Sequence, residues 1–495
     1  MKKRTFKTLI CAALAGISVL GFSACNLEAQ TAYDVAVKNG FVGTEQEWLK
    51  SLQGSNGKDG KSPTIEEIFA SWKQQPGNED KSFDVFLKEY LTVDYNEGNN
   101  TKQIAENLTS SVSIYCGICT ATEYRFGGYR YEWGVSAGSG VIYSLTDGYG
   151  YVITNYHVLY SASARNGDKV ATRYDNGEGL ADNSNIFVYL YGSASSNILS
   201  QSQDGTGYTD ASGTALKAEY VGGSMSYDVA VLKIYGDNLT AAQEAKTATA
   251  AKTATSGVTV GEKVYAIGNP SGNGISVSQG VVSVESEYIT MTAADDKTTT
   301  TFHVLRTDTA INPGNSGGGL FNAQGDLVGI VNAKTTTSSS GTSVENMGYA
   351  LPIADVKAVA DNIIDNGGAP KKPYFGITTT SEAAHSEWNE VGDKLILKET
   401  VKVYSVTAEG EQNSGIGATK FRAGDEICAV SIRRGSEEVL KVTVNTRADF
   451  TNSLLHVRAG DTLFVQIKRG NESITLSFEI TQKKFIDCLN IGNIG

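Results

Sequence analysis

The sequence predicts a mainly β chain, two tandem β-barrels followed by a smaller β unit, and three observations carry that expectation. Between about residues 108 and 365, short runs rich in Val, Ile, Tyr and Thr recur between Gly, Asn, Asp and Ser turns. Examples are Gly-Val-Ile-Tyr (140–143), Tyr-Val-Ile-Thr (151–154), Val-Ala-Val-Leu-Lys-Ile (229–234), Lys-Val-Tyr-Ala-Ile-Gly (263–268) and Leu-Val-Gly-Ile-Val (327–331). Branched and aromatic residues suit a pleated, half-buried surface, and many short strands at this spacing suit barrels or sandwiches. The Ala/Thr/Lys-rich stretch from Thr240 to Ser256 lacks the pattern and divides the region into halves, with room for a site between them. After a helical stretch, Ile353 to Asn366, and an Asn-Gly-Gly-Ala-Pro linker at 366–370, a compact unit begins at Tyr374 and ends near Thr481. Its strands Leu463 to Lys468 and Ser473 to Ile480 flank Arg-Gly-Asn-Glu, a suitable hairpin loop.

The N-terminus carries Lys2, Lys3, Arg4 and Lys7, then an apolar stretch from Thr8 to Phe22, then Ser23 and Ala24 before Cys25. That is a signal peptide, too short for a membrane helix. The ending Leu-Gly-Phe-Ser-Ala-Cys resembles a bacterial lipobox, with Phe22 where Leu is usual, and implies a lipid-modified Cys25. Acyl chains there would anchor an exported protein without spanning the membrane. Removing the signal's four positive charges takes the formal net charge from −12 to −16, which argues against a nucleic-acid partner. The six cysteines are too scattered for a disulfide framework. Cys116 and Cys119 form a C-x-x-C on a predicted strand, where three residues span about 10 Å, so the expectation is buried thiols rather than a redox pair or metal site. No cofactor or metal is expected. Residues 25 to about 100 are polar and punctuated, with short helical candidates around Thr44 to Leu49 and Ile65 to Trp72, and read as a stalk or small helical module.

The chemistry-bearing residues follow the order His, Asp, Ser. Asn-Pro-Gly-Asn-Ser-Gly-Gly-Gly (312–319) frames Ser316 with glycines, Thr-Asn-Tyr-His-Val (154–158) presents His157 after a strand, and Tyr-Asp-Val-Ala-Val-Leu (227–232) heads a strand with Asp228. A serine hydroxyl is a poor nucleophile at neutral pH. It needs a base within hydrogen-bond reach, and the base needs a partner that fixes its tautomer. The chain has four histidines; His303 falls in an alternating strand, His385 in a polar segment and His456 in a helical one, so His157 is the candidate base. Gly314 and Gly317 allow a tight turn in which the amides of Gly314 and Ser316 converge on one point, an oxyanion hole. A phosphate-binding loop would require a Lys and a Ser or Thr after the glycines, and Leu320 and Phe321 follow instead.

Five ordered segments, Ser-Ala-Gly-Ser-Gly-Val-Ile (136–142), Thr-Asn-Tyr-His-Val, Tyr-Asp-Val-Ala-Val-Leu, Ala-Ile-Gly-Asn-Pro-Ser-Gly (266–272) and Arg-Thr-Asp-Thr-Ala-Ile-Asn-Pro-Gly-Asn-Ser-Gly-Gly-Gly-Leu (306–320), resemble the HtrA (Deg-type) trypsin-like serine proteases. The resemblance implies a double β-barrel endopeptidase with His157, Asp228 and Ser316 as its triad. Two departures stand out: Tyr156 precedes the base where the family has Asn or Ala, and 71 residues separate His157 from Asp228. The segment Asp168 to Gly213, with its Asn, Asp, Gly and Ser clusters, reads as an inserted surface loop. By the same resemblance Ala310 floors the primary specificity pocket, favouring cleavage after small or medium aliphatic residues, and the strand at Asn332 pairs with substrate.

The C-terminal unit resembles a PDZ domain. Tyr374-Phe375-Gly376-Ile377 is similar to a carboxylate-binding loop, and Phe421-Arg422-Ala423-Gly424-Asp425-Glu426-Ile427 to the family's Gly-Asp-x-Ile turn. This implies that Phe375, Gly376 and Ile377 receive peptide C-termini. The expected division is a lipoprotein signal peptide at 1–24, a stalk or helical module at 25–104, a protease domain at 105–366, a PDZ domain at 371–482 and a tail at 483–495. The function expected is extracytoplasmic hydrolysis of unfolded or misfolded proteins, with a peptide-binding sensor or chaperone on a silent protease fold as the alternative. The family also implies a homotrimer.

Overall fold

In the computed structural model of this chain, the described residues are parts of 33–83 and then 100–487, apart from 126, 163–173, 176–179, 182–184, 194–198, 203–206, 333–346, 390–393, 411–414 and 482–484. The signal peptide and Cys25 lie outside them, as does the polar stretch at 51–64. The chain divides into two compact units, 1–99 and 100–495. In the first, helix α1 (Ile65–Lys73) carries Phe69 and Trp72, whose ring centroids lie 6.2 Å apart, and Phe83 meets Phe69 edge-on at 5.0 Å.

The second unit starts with helix α2 (Thr101–Leu108), which straddles the expected division at 104/105. Its C-terminal turn is locked by Ser110 and Ser111, whose hydroxyls both donate to the Asn107 carbonyl, so the helix belongs to the strand that follows. Strands β1 (Ser111–Glu123), β2 (Tyr129–Thr146), β3 (Tyr149–Thr154), β4 (Ile186–Leu190), β5 (Lys217–Ser224) and β6 (Val229–Tyr235) form an antiparallel sheet in the order β4-β1-β2-β3-β6-β5. The expected barrel is completed among the described residues by one bridge, from Val188 on β4 to Leu216, the residue before β5. The segment Asp168 to Gly213, expected as an inserted surface loop, instead carries β4 itself, whose Ile186, Val188 and Leu190 are buried in the core of this sheet. Its other described parts include two short ladders, Tyr174–Asp175 with Leu180–Ala181 and Leu199–Gln201 with Tyr208–Asp210.

Helix α4 follows (Asp237–Glu244; the one-turn α3, Tyr156–Leu159, precedes it), in the strandless stretch that separates the halves. Strands β7 (Lys263–Gly268), β8 (Ser276–Thr292), β9 (Thr299–Thr307), β10 (Gly319–Asn322), β11 (Leu327–Asn332) and β12 (Gly348–Pro352) then close into a barrel, β7-β8-β9-β12-β11-β10. Strand β6 shows why its sequence is apolar on both faces. Ala230, Leu232 and Ile234 point into the core of the first sheet, whereas Val229 and Val231 join a second core with Ile267, Phe321 and Ile330. Each such fully buried aliphatic side chain is worth about 1.5–3 kcal/mol, so the seam between the halves is a major source of stability.

Helix α5 (Ile353–Asn366) lies on that seam, burying Val356, Val359 and Ile363, and the same core includes Leu455 from the C-terminal unit. There β14 (Ile377–Asn389), β15 (Lys394–Val406), β16 (Glu426–Arg434), β18 (Thr462–Arg469) and β19 (Glu472–Glu479) form a sheet in that order, with β17 (Glu437–Thr443) paired to β16 and helix α6 (Arg447–Ser453) packed against it. A Phe375, Phe421, Phe450 and Phe478 cluster fills its core. The two Gly-Asp turns are built alike. Asp425 accepts from Arg422 N and from Arg469 at 2.7 and 2.8 Å, and Asp461 accepts from Arg458 N and from Arg434 at 2.9 and 3.1 Å. The segment expected as a tail contributes a strand, β20 (Phe485–Asp487), which pairs with β13 (Lys371–Pro373).

Candidate active site

The base comes first because its strand sets its position. β3 ends at Thr154, whose hydroxyl donates to the Ser139 carbonyl at 2.7 Å, and the chain then makes the single turn α3. Tyr156, Val158 and Leu159 are buried, leaving His157 to face the cleft. Tyr156 fits beside it because Gly223 stands opposite: a Cβ there would lie 2.7 Å from the Tyr156 ring. The bulk at 156 is thus matched by an absent side chain on β5.

Asp228 ends the turn between β5 and β6, only 1% exposed, with φ at 52°. Asp is among the few residues that enter this left-handed region, and a non-glycine held there is a place where strain is stored. The carboxylate is compensated on every side. Oδ1 accepts from His157 N at 3.0 Å, and Oδ2 accepts from His157 Nδ1 at 2.7 Å and from Asn332 Nδ2 at 3.1 Å. Asn155, fully buried, donates to the Asp228 carbonyl at 2.9 Å and ties the two turns together. A buried charge with such donors avoids the desolvation penalty of an isolated one. With its Nδ1 proton on Asp228, His157 turns Nε2 toward Ser316 Oγ at 2.9 Å, the geometry in which imidazole accepts a hydroxyl proton.

Ser316 sits 6% exposed just before β10. Asn312 to Asn315 form a β-turn closed by Asn315 N on Asn312 O at 3.0 Å, with Pro and Gly in its centre and Gly314 at φ 98°. That is the sequence a type II turn demands. Gly314 is also required by space, since a Cβ would lie 2.3 Å from the Asn269 carbonyl oxygen. At Gly317, φ 83°, a Cβ would lie 2.2 Å from the Ser139 carbonyl oxygen.

The structure thus brings His157, Asp228 and Ser316 together, three residues from three turns and two sheets. Ala310 is exposed, and its carbonyl accepts from Ser278 Oγ at 2.9 Å. Asn332, at the end of the strand expected to pair with substrate, is 2% exposed, and its side-chain amide donates to Asp228. β11 runs from the core into the site, so its last side chain points inward to the carboxylate. Sequence reasoning also passed over Ser139, Asn155 and Ser271. All three act through contacts distant in sequence; the repeated Ser and Asn of their motifs were the available signal. Cys116 and Cys119 are buried on β1, and burial pushes the Cys116 thiol up to about 12.

At the C-terminal unit, the carbonyls of Tyr374, Phe375 and Gly376 accept from Ile416 N, Gly417 N and Thr407 N at 2.9, 3.0 and 2.8 Å. A trans peptide sets N–H opposite C=O, so the amides of Phe375, Gly376 and Ile377 face the other way. Phe375 itself is buried in the aromatic core, 4% exposed. β14 is the outer strand of its sheet. With α6 it lines a cavity of about 230 Å³ whose opposite wall is Tyr288, Thr300 to His303 and Asp355. Tyr288 Oη accepts from Ala448 N at 2.9 Å and Arg447 lies over the Tyr288 ring. Beside it His303 bonds Asp355 Oδ2 through Nδ1 at 2.5 Å and Ser286 Oγ through Nε2 at 2.8 Å.

A cleft between two antiparallel sheets with a Ser, His, Asp relay in it is the arrangement of a trypsin-like serine peptidase, and residues 138–330 match the family model of the trypsin-like peptidase domain. The chain is 31% identical over 354 residues to the serine protease Do-like HtrA of Lactococcus lactis subsp. cremoris, covering 70% of this chain and 71% of that one. It is 29% identical over 352 residues to the Do-like HtrA of Bacillus subtilis, covering 70% and 64%. A solved HtrA-type protease, AlgW with a decapeptide, aligns over 77% of this chain and 98% of its own at 22% identity and a TM-score of 0.44. The chain belongs to the Do-like HtrA family and is a serine endopeptidase.

Proposed function

We propose that Ser316 is the nucleophile, His157 the general base and acid, and Asp228 the residue that orients and stabilises the imidazole. The observation that carries this reading is the continuous relay from Asp228 Oδ2 through His157 to Ser316 Oγ, at 2.7 and 2.9 Å. Ser316 Oγ adds to the scissile carbonyl carbon as its proton passes to His157 Nε2. The carbonyl oxygen becomes an oxyanion that accepts from the amides of Gly314 and Ser316. Collapse breaks the C–N bond, and His157 returns the proton to the departing amine. Water, deprotonated by the same imidazole, then cleaves the acyl-enzyme and regenerates Ser316.

The substrates are unfolded or misfolded proteins in protein quality control, cut after small or medium aliphatic residues, because the exposed Ala310 offers no charge at the pocket floor. The C-terminal unit, 371–482, is a PDZ domain whose outward amides at Phe375, Gly376 and Ile377 hold a peptide carboxylate, with the peptide added along β14. The enzyme works outside the cytoplasm, anchored by lipid on Cys25, and assembles as a homotrimer. Cleavage-site mapping on unfolded casein, with Ser316→Ala as control, tests the chemistry. Digestion by Ser316→Ala, or a strong preference for Lys or Arg, would overturn it. Release from the membrane fraction by Cys25→Ser tests the anchor.

A further inference from the structure

The turn that carries Ser316 has every carbonyl from 312 to 316 held. Asn312 O accepts from Asn315 N at 3.0 Å, Pro313 O from Ser271 N at 2.8 Å and Asn315 O from Gly318 N at 2.9 Å. The remaining two are held by one residue of the other sheet. Ser139, on β2, donates its hydroxyl to Gly314 O at 2.7 Å and its backbone N–H to Ser316 O at 2.9 Å.

The polarity of the Ser139 hydroxyl is fixed. Its oxygen also receives the Asn269 N–H at 2.7 Å. An amide N–H can only donate and a carbonyl can only accept, so the single hydroxyl proton must point at Gly314 O. At 1% exposure no bulk water competes for it. The Ser139 carbonyl in turn accepts from Thr154 Oγ1 at 2.7 Å, three residues before His157. One small residue therefore spans the strand that carries the base and the turn that carries the nucleophile.

Gly314 needs such a clamp. Glycine gives the turn its φ of 98°, and the same freedom lets its two flanking peptides swing. The upstream peptide is pinned through Pro313 O by Ser271 N, and Ser271 itself holds a left-handed φ of 57° to present that amide. The downstream peptide is pinned through Gly314 O by Ser139. With both planes set, the Gly314 N–H is directed opposite to the Pro313 carbonyl.

We propose that Ser139 is a positioning residue for peptide hydrolysis, its hydroxyl fixing the Gly314–Asn315 peptide and so limiting, through the shared Gly314 Cα, the swing of the amide that receives the oxyanion. The proposal rests on Ser316 as nucleophile and Gly314 as oxyanion donor. Removing such a donor outright costs about 10²–10³ in kcat; freeing its orientation should cost less, roughly 10- to 100-fold.

The test uses the full chain carrying Ser139→Ala, Ser139→Thr or Ser316→Ala. Ser139→Ala should lower kcat by that factor with KM within about twofold and the pH profile of kcat/KM unmoved, because the relay is untouched; Ser139→Thr, which keeps the hydroxyl, should recover most of the loss. A peptide aldehyde, whose hemiacetal oxygen enters the oxyanion site, should bind Ser139→Ala weaker by the same factor as kcat. A peptide with a reduced scissile bond should bind as in the parent. The ratio of these two affinities does not depend on the folded fraction, so a poorly folding variant still reports. Parental kcat in Ser139→Ala, or equal weakening of both ligands, overturns the positioning role while leaving Ser316 as nucleophile. Activity surviving in Ser316→Ala would instead sink the nucleophile assignment on which the proposal stands.

Discussion

Among the described residues of the second unit, two Ser, His, Asp relays run with nearly the same bond lengths. Asp228, His157 and Ser316 are linked at 2.7 and 2.9 Å; Asp355, His303 and Ser286 are linked at 2.5 and 2.8 Å. Their serines differ. Ser316 stands on a turn between glycines at φ 98° and 83°, with two left-handed kinks behind it at Asp228 and Ser271. Ser286 lies within strand β8, at an irregularity in its pairing with β9 between Val284 and Glu287. The comparison teaches that an Asp–His–Ser chain is a general way to bury an imidazole with its hydrogen bonds met. A nucleophile needs, in addition, a backbone shaped to receive charge on the atom it attacks.

The sharpest way to break this comparison is to remove each hydroxyl. Ser316→Ala should reduce kcat by at least about 10⁴-fold, whereas Ser286→Ala should leave it within about twofold. A fluorophosphonate should label Ser316 alone, read by peptide mass; equal labelling of Ser286 would make the relays equivalents. Next in size is Gly314→Ala, where the added carbon meets Asn269 O and forces the turn to move. Turnover of a peptide substrate should fall about 10²–10³-fold with the relay intact. Asn332→Ala removes one of three donors to the Asp228 carboxylate, and kcat/KM should fall roughly tenfold, in line with a hydrogen bond to a charged group.

The smallest effect belongs to the second relay and is read in stability. Burial opposes the charge on His303, but the charge and hydrogen bond of Asp355, with Asp449 and Glu399 nearby, overcome it and raise its pKa. A folded pKa above the unfolded value of about 6.5 gives stability that is complete below that pH. It is lost as pH rises through the folded pKa. The melting temperature of the parent should therefore exceed that of His303→Gln by more at pH 5.5 than at pH 9. A constant difference would show that His303 does not titrate in this range.

The first relay was legible in the sequence because each member carries its own local signature: a strand-turn before His157, a strand head at Asp228, glycines around Ser316. The second was not, since Ser286, His303 and Asp355 sit on two strands and a helix and meet only through the β8–β9 register and the packing of α5. Asn332 was placed near the site from its strand, but not on Asp228, because the direction of a side chain depends on which face of β11 the barrel turns inward. The expected tail at 483–495 hid β20, three residues whose pairing with β13 leaves no periodic signal. Likewise the start at 105 cut through α2, whose attachment rests on Ser110 and Ser111 rather than on any composition shift.

The seam at α5 bears on how this enzyme can be divided. Asn362 donates to the carbonyls of Lys371 and Leu455 and accepts from Lys371 N, Asp365 pairs with Arg458 at 2.6 Å, and Gly368 donates to Val221 O in the stretch that composition marks as a linker. A fragment ending at residue 366 would bare the α5 surface that Leu455 covers and strand a buried amide. Such a fragment should self-associate, while the intact unit from residue 100 onward should melt in a single calorimetric transition, as one cooperative body.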